Sequence, residues 1–104
     1  THDGTCVRDY VHVQDIADAH VSALYDNLTP GVYNLGTNQG TSNAEIMKAA
    51  IRITGRQLKV VVGDKREGDP AVLTASADKF GLVYKDWQKY TLDDMITHAW
   101  QWYV

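Results

Sequence analysis

The sequence predicts a mixed α/β domain in which short strands alternate with about four helices. Three observations carry this. Period-two alternation around Val11 and Val13 gives way to three-and-four spacing from Asp15 onward. Two polar openings, Ser42-Asn43-Ala44-Glu45 and Thr91-Leu92-Asp93-Asp94, each introduce an amphipathic run. An apolar, β-branched segment from Leu58 to Val62 lies between them. Strand and helix taken in turn are the signature of an α/β layer architecture. The 104 residues fit one domain, 1–104, with one core.

Taken in order, Val11 and Val13 alternate with Tyr10 and His12, which predicts a first strand. From Asp15, the residues Ile16, Ala19, His20, Ala23 and Leu24 form one helical face, ended by Asn27, Pro30 and Gly31. Val32-Tyr33-Asn34-Leu35 reads as a second strand closed by Gly36. Ser42 and Glu45 form a capping box, serine and glutamate each satisfying a free backbone donor of the other. The helix they open carries Ile46, Ala50 and Ile53 on one side and stops at Gly55. Leu58 to Val62 reads as a buried strand by composition. A polar loop from Gly63 to Pro70 follows, then a short helix from Ser76 to about Val83. Thr91 caps a last helix whose inward set is Leu92, Met95, Ile96, Ala99 and Tyr103.

Bulk properties exclude several classes. Hydrophobic content of 44% and charged content of 22% are those of a globular protein. A chain this short buries only about 60–70% of the surface its unfolded form exposes, so modest stability is expected. Net charge is −3, without a run of lysine or arginine, which argues against nucleic acid as a partner. No apolar run approaches the ~20 residues of a membrane span, and no signal-peptide pattern opens the chain. The single cysteine, Cys6, has no internal partner for a disulfide, and the expected compartment is the cytoplasm. The chain opens at Thr1, which suits an excised domain, a processed product or a shortened chain equally.

Catalytic signatures are absent. The eight glycines include no pair three apart and no pair separated by one residue, so no dinucleotide fingerprint is present. None of the tyrosines has a lysine four residues later. The histidines at 2, 12, 20 and 98 make no metal-ligand spacing, and no serine has a Gly-x-Ser-x-Gly surround. What remains is a pair of segments, Arg8-Asp9-Tyr10-Val11-His12-Val13-Gln14-Asp15 and Arg66-Glu67-Gly68-Asp69. Each sets a guanidinium close to a carboxylate. Guanidinium forks match phosphate oxygens, and a neighbouring carboxylate accepts hydroxyl protons. Two such segments suit a phosphorylated sugar or a nucleoside diphosphate.

The stretch Asp3-Gly4-Thr5-Cys6-Val7-Arg8-Asp9-Tyr10-Val11-His12-Val13-Gln14-Asp15-Ile16-Ala17-Asp18-Ala19-His20 closely resembles the UDP-glucose 4-epimerases, which are extended short-chain dehydrogenase/reductases. The resemblance continues through Tyr33-Asn34-Leu35-Gly36, Arg66-Glu67-Gly68-Asp69-Pro70-Ala71 and Thr91-Leu92-Asp93-Asp94-Met95, with Trp100 and Trp102 near the end. It spans the chain in order, but only against the family's C-terminal substrate-binding part. The NAD-binding Rossmann domain, with the glycine fingerprint and the tyrosine-lysine pair, belongs to the family's N-terminal part.

The resemblance implies that Arg8 and Arg66 hold the UDP pyrophosphate and that Asp69 accepts from the uridine ribose hydroxyls. It sets Tyr10 against the nucleotide and Leu73 at the sugar end, and assigns no catalytic, cofactor-binding or metal residue to this chain. In the complete enzyme, a tyrosine takes the sugar O4 proton while NAD accepts hydride from C4. The expected partners are a UDP-sugar and an N-terminal Rossmann domain in cis or trans. The alternative is a stand-alone, non-catalytic nucleotide-sugar binding or protein-interaction module. One departure is Gly81-Leu82-Val83-Tyr84, where the family has a Leu-Gly-Trp turn, with Trp87 available for the packing role.

Each residue also has a plainer reading. Arg8 fits a structural ion pair with a local carboxylate, and Asp69 fits a turn former beside Pro70. Asp9 and His12 read as scaffold at the strand-to-helix turn. Asp15 reads as a helix N-terminal charge, and His20 and His98 as packed or rim histidines. Trp100 and Trp102 read as core or domain-interface aromatics, and Cys6 as a small apolar residue.

Overall fold

The computed structural model describes residues 1–26 and 28–104. Asn27, assigned above to the end of the first helix, lies outside the described residues. The elements run β1 (Val7–Arg8), α1 (Val13–Tyr25), β2 (Thr41–Ser42), α2 (Asn43–Thr54), β3 (Val72–Leu73), α3 (Asp78–Gly81) and α4 (Leu92–Tyr103). The mixed α/β class and the four helices are as expected. The sheet is small, ordered β2-β1-β3. β1 runs antiparallel to β2, with Val7 opposite Ser42 and Arg8 opposite Thr41. It runs parallel to β3, with Val7 opposite Val72 and Arg8 opposite Leu73.

Helix starts follow local chemistry. Ser42 caps α2 in a complete capping box with Glu45, and Thr91 caps α4 in another with Asp94. Gly55 ends α2 in the left-handed conformation, φ 67°, which costs glycine little because it has no Cβ. α1 is capped by His12, whose Nδ1 accepts the Gln14 N–H at 2.9 Å. His12 therefore stands at the helix boundary, and Val13 is the first helical residue instead of the last residue of a strand. The strand lies earlier, at Val7–Arg8, where two neighbouring strands offer hydrogen bonds.

Other expectations need correction. Val32 to Leu35 is not a strand, and Val32 is mostly exposed. Leu58 to Val62 is neither a strand nor buried, with Val62 91% exposed. β-branched composition signals a need for burial, but no strand edge of the described residues meets this segment. α3 is shorter than expected at both ends, with the Ser76 hydroxyl accepting the Asp78 N–H at its start. In α4, Leu92, Met95 and Ile96 are half-buried while Ala99 and Tyr103 are exposed, as are His20 and Leu24 on α1. Trp102 is 92% exposed and Trp100 is half-buried beneath the Arg56 guanidinium, so neither is a core residue.

The buried apolar set is correspondingly small: Ala19, Ala49, Ala77 and Phe80. Phe80 gathers Tyr33, Tyr84 and Trp87 around it, with ring centroids at 6.3, 4.8 and 5.9 Å. Trp87 thus packs in that cluster, the role expected of it. Polar groups do much of the remaining tying. Asp15 is no surface charge: it is 1% exposed and accepts the backbone N–H groups of Lys89 and Tyr90 at 3.1–3.2 Å. Asp9 accepts from Thr37 N–H, Thr37 hydroxyl, Asn38 N–H and Ala75 N–H at 2.6–3.1 Å. Gly36 lies so close that an added Cβ would stand 2.5 Å from the Ala75 oxygen and 2.8 Å from the Asp9 carboxylate. Between α2 and α4, Arg52 pairs with Asp93 at 2.8 Å.

Ser42 is fully buried and bonds to both Glu45 N–H and the Asp3 carboxylate. Ser42→Ala is expected to lower unfolding free energy by about 1–2 kcal/mol, the usual cost of a lost N-cap. Urea unfolding followed by far-ultraviolet circular dichroism measures it, and an unchanged midpoint would contradict the capping role.

Candidate functional site

Arg8 stands at the C-terminal end of β1, where the parallel pairing with β3 delivers the segment that follows Arg66. Its Nη2 donates to Asp69 Oδ1 at 3.0 Å, and its Nη1 donates to the carbonyls of Pro70 at 2.9 Å and Val7 at 2.8 Å. Arg66 reaches the same carboxylate from the other side, Nη2 to Oδ2 at 3.1 Å. Asp69 is held by its own backbone N–H donating to the Arg66 carbonyl at 3.3 Å. The two guanidiniums, far apart in sequence, thus converge on one carboxylate. The plain ion-pair reading of Arg8 is present in the structure.

The three groups differ in freedom. The Arg8 and Asp69 side chains are each 24% exposed, while that of Arg66 is 84% exposed. Arg8 is fixed by three acceptors and Arg66 by one. The Arg66 hydrogen bond is the largest influence on the Asp69 carboxyl; burial opposes it, and the charges of Arg66 and Arg8 help to hold the carboxyl below the usual carboxylate range. For Asp9, burial pushes the carboxyl up, and the bonds from Thr37, Ala75 and Asn38 together overcome it and hold it below the ordinary value.

A cleft of about 400 Å³ borders Arg66 and Asp69, lined also by Cys6, Asn43, Gly63 and Lys65. Tyr10 is partly exposed, and its hydroxyl donates to Asn43 Oδ1 at 3.4 Å. Leu73 lies opposite Arg8 across the parallel pair and is 57% exposed. The structure therefore brings Arg8, Arg66 and Asp69 into direct contact, sets Leu73 beside Arg8, and links Tyr10 to the cleft through Asn43. Asn43 and Lys65 are the residues that sequence reasoning missed. Asn43 had a usable signal, since it follows the capping serine and begins α2, where backbone donors face outward. Lys65 had only its place next to Arg66.

Among the described residues, His2, Asp3 and Glu45 bring one ligand atom each within 4.8 Å of one another. Their carboxylates are already engaged: Asp3 accepts from Thr5 and Ser42, and Glu45 from the Ser42 N–H. These bonds, that of Ser42 foremost, hold the Asp3 carboxyl well below its usual range. None of the three belongs to the Arg8–Asp69–Arg66 cluster. No helix of the described residues is long and apolar enough to cross a membrane.

Residues 1–36 match the model of the NAD dependent epimerase/dehydratase family. The chain is 40% identical over 106 residues to UDP-glucose 4-epimerase 4 of Oryza sativa subsp. japonica, covering 98% of this chain and 29% of that protein. It is 43% identical over 108 residues to the UDP-glucose 4-epimerase of Lacticaseibacillus casei, covering 99% of this chain and 32% of the relative. It superposes with a TM-score of 0.88 and 38% identity on the crystal structure of the Bifidobacterium longum UDP-glucose 4-epimerase in complex with NAD+ and UDP, covering 98% of this chain and 31% of that one. The chain thus spans about a third of the length of the relatives it matches.

Because the Asp69 carboxyl titrates below its unfolded value, the Arg8–Asp69–Arg66 contact stays formed from neutral pH down through the ordinary aspartate range near pH 3.9. It opens only as pH falls through the lower folded value. Carboxyl carbon chemical shifts of Asp69 measured against pH are expected to show this depressed midpoint. Arg66→Ala is expected to move the midpoint upward, and an unmoved midpoint would show that the pair is not formed in solution.

Proposed function

Homology along its whole length to the C-terminal part of the UDP-glucose 4-epimerases is the premise from which we propose that this chain is the nucleotide-sugar-binding portion of such an enzyme. In this reading Arg8 and Arg66 hold the two phosphates of UDP, and Asp69 accepts from the ribose hydroxyls. Tyr10 lies against the nucleotide and Leu73 at the sugar. The observation that carries it is the convergence of Arg8 and Arg66, from separate segments, beside an open cleft. Two guanidiniums and one carboxylate leave one net positive charge to attract the anionic pyrophosphate.

The reaction of the complete enzyme, interconversion of UDP-galactose and UDP-glucose, would need groups from a second domain. The step from β1 to α1, at Arg8–Val13, contains no glycine, so it offers no close backbone approach for a dinucleotide pyrophosphate. NAD does not fit here, and a Rossmann domain in cis or trans would carry it. What this chain supplies is grip on the nucleotide while the sugar turns. The compartment proposed is the cytoplasm.

Surface area supports a second domain independently. The chain exposes 7931 Å², against about 5,800 Å² for a compact monomer of its mass. Its radius of gyration is 16.1 Å, against about 13 Å for a compact chain of this length. An excess of about 2,000 Å² is the size of an obligate interface. Leu58, Val60, Val61, Val62, Leu24 and Trp102 are among the exposed apolar residues awaiting cover.

The second reading, a binding module sufficient by itself, meets an energetic obstacle. Charged hydrogen bonds contribute ~1.5–3 kcal/mol each, so three anchors give roughly 5–9 kcal/mol. Immobilising a ligand costs at least about 4 kcal/mol, and a millimolar complex already needs ~4 kcal/mol. Binding by this chain alone would be marginal.

Amide chemical-shift titration of the chain with UDP tests the proposal. Shifts are expected around Arg8, Arg66 and Asp69, approaching saturation only at millimolar UDP and weakened at least about tenfold by Arg66→Ala. Shifts confined to other residues would refute the site. The same chain is expected to self-associate with rising concentration and to show no epimerase turnover with NAD added. Turnover by the pure chain would refute the need for a second domain.

A further inference from the structure

A second cleft, of about 330 Å³, borders Tyr10 and includes none of Arg8, Arg66, Asp69 or Leu73. Thr37, Gln39 and Thr41 line one wall and Gln88 and Tyr90 another, with Leu92 and Met95 also contributing. Its lining carries hydroxyls, carboxamides and two phenol rings, and no charged side chain. Such a surface both donates and accepts hydrogen bonds and offers flat apolar faces. A phosphate or carboxylate would find no cation there. The volume falls at the small end of the range for small-molecule sites.

Both walls are fixed without a ligand. Thr37 is tied to the Asp9 carboxylate through its N–H at 2.9 Å and its hydroxyl at 2.6 Å, and the Gln39 N–H donates to the Thr37 hydroxyl at 3.0 Å. Opposite, the Lys89 and Tyr90 N–H groups are tied to buried Asp15. The Tyr90 ring stacks on His12 at 4.3 Å between centroids and meets His98 edge-on. Among the described residues, the side-chain amides of Gln39 and Gln88 and the hydroxyls of Thr41 and Tyr90 have no hydrogen-bond partner in the protein, although neighbouring backbone groups do. The tied Thr37 hydroxyl and stacked Tyr90 ring lower the ordering cost of binding, while the exposed Gln39 and Gln88 side chains are free to turn toward a ligand.

We infer that this cleft is a binding site for a neutral, hydroxyl-rich ligand of monosaccharide size, separate from the phosphate-binding cluster of Arg8, Arg66 and Asp69. Tyr10 would be shared between the two, facing both the nucleotide cleft through Asn43 and the neutral cleft directly. Gln39 and Gln88 would hold ligand hydroxyls from opposite walls, and the fixed Tyr90 ring would cover a C–H face.

The test is a chemical-shift titration of the full chain with D-glucose, following backbone amides and the Gln side-chain amides, with and without UDP at millimolar concentration. Glycerol at matched hydroxyl concentration serves as the control. The expected result is saturable shifts at Gln39, Gln88 and Tyr90 that persist with UDP present and are not reproduced by glycerol. Gln88→Ala is expected to weaken glucose binding about fivefold, one neutral hydrogen bond, while leaving the UDP-induced shifts at Arg66 in place. Tyr90→Phe keeps the stacked ring and is expected to lose the hydroxyl's share alone. Absence of saturable shifts, their abolition by UDP, their reproduction by glycerol, or indifference to Gln88→Ala would each overturn the proposal. Silence toward UDP with glucose binding intact would count against the nucleotide site and leave this one standing.

Discussion

The carboxylate of Asp9 is the interaction on which the arrangement depends. It takes donors from Thr37, Asn38 and Ala75, and so joins the end of β1 to the loop before β2 and to the segment just beyond β3. A sheet of two-residue strands has too few ladder bonds to fix its own register. Asp9 supplies the missing constraint at the point where Arg8 and Tyr10 flank it in sequence. Gly36 follows from this, since any side chain there would collide with Ala75 and with the carboxylate itself. The placement of Leu73 follows too, since Ala75 is anchored two residues beyond it.

Asp15 repeats the device one layer away. Its burial would be costly for an isolated charge, yet it accepts the Lys89 and Tyr90 N–H groups at the first turn of α1, where the helix dipole also favours an anion. Through it, the approach to α4 is fastened to the start of α1. With an apolar interior of three alanines and one phenylalanine, the chain lacks the area from which a domain usually draws stability. Carboxylate-to-backbone ties set the geometry, and the exposed apolar segments mark where hydrophobic stabilisation would come from outside.

What the sequence made legible follows from this division of labour. Helix ends were readable because capping is local: Ser42 with Glu45, Thr91 with Asp94, and Gly55 act within a turn of themselves. Strands were not, because Val7–Arg8 is a strand only by virtue of Thr41 and Val72, which are distant in sequence. Val11, Val13 and Leu58 to Val62 had strand composition without a strand partner. Leu24 and Tyr103 are exposed against expectation because periodicity identifies an apolar face but not whether anything covers it. Arg8, Arg66 and Asp69 were legible as chemistry, Asp9 as scaffold and Asp15 as a helix N-terminal charge, but the distant backbone donors that both carboxylates collect appear only in three dimensions.

The cluster at Asp69 has a consequence for how a pyrophosphate would enter. In the unliganded chain both carboxylate oxygens are occupied, one by each guanidinium, so Asp69 neutralises part of the charge that would attract an anion. Arg8 is held by two carbonyls as well as by Asp69 and would keep its position if that carboxylate turned away. Arg66 is held by Asp69 alone and is mostly exposed, so its bond is of the weak surface kind and the first to be exchanged for phosphate. Exchange would free Oδ2 of Asp69 for a ribose hydroxyl without moving the backbone. Under the proposed function Arg8 would thus fix where the diphosphate lies and Arg66 would close on it as Asp69 is released, a division that follows from the unequal burial of the two arginines.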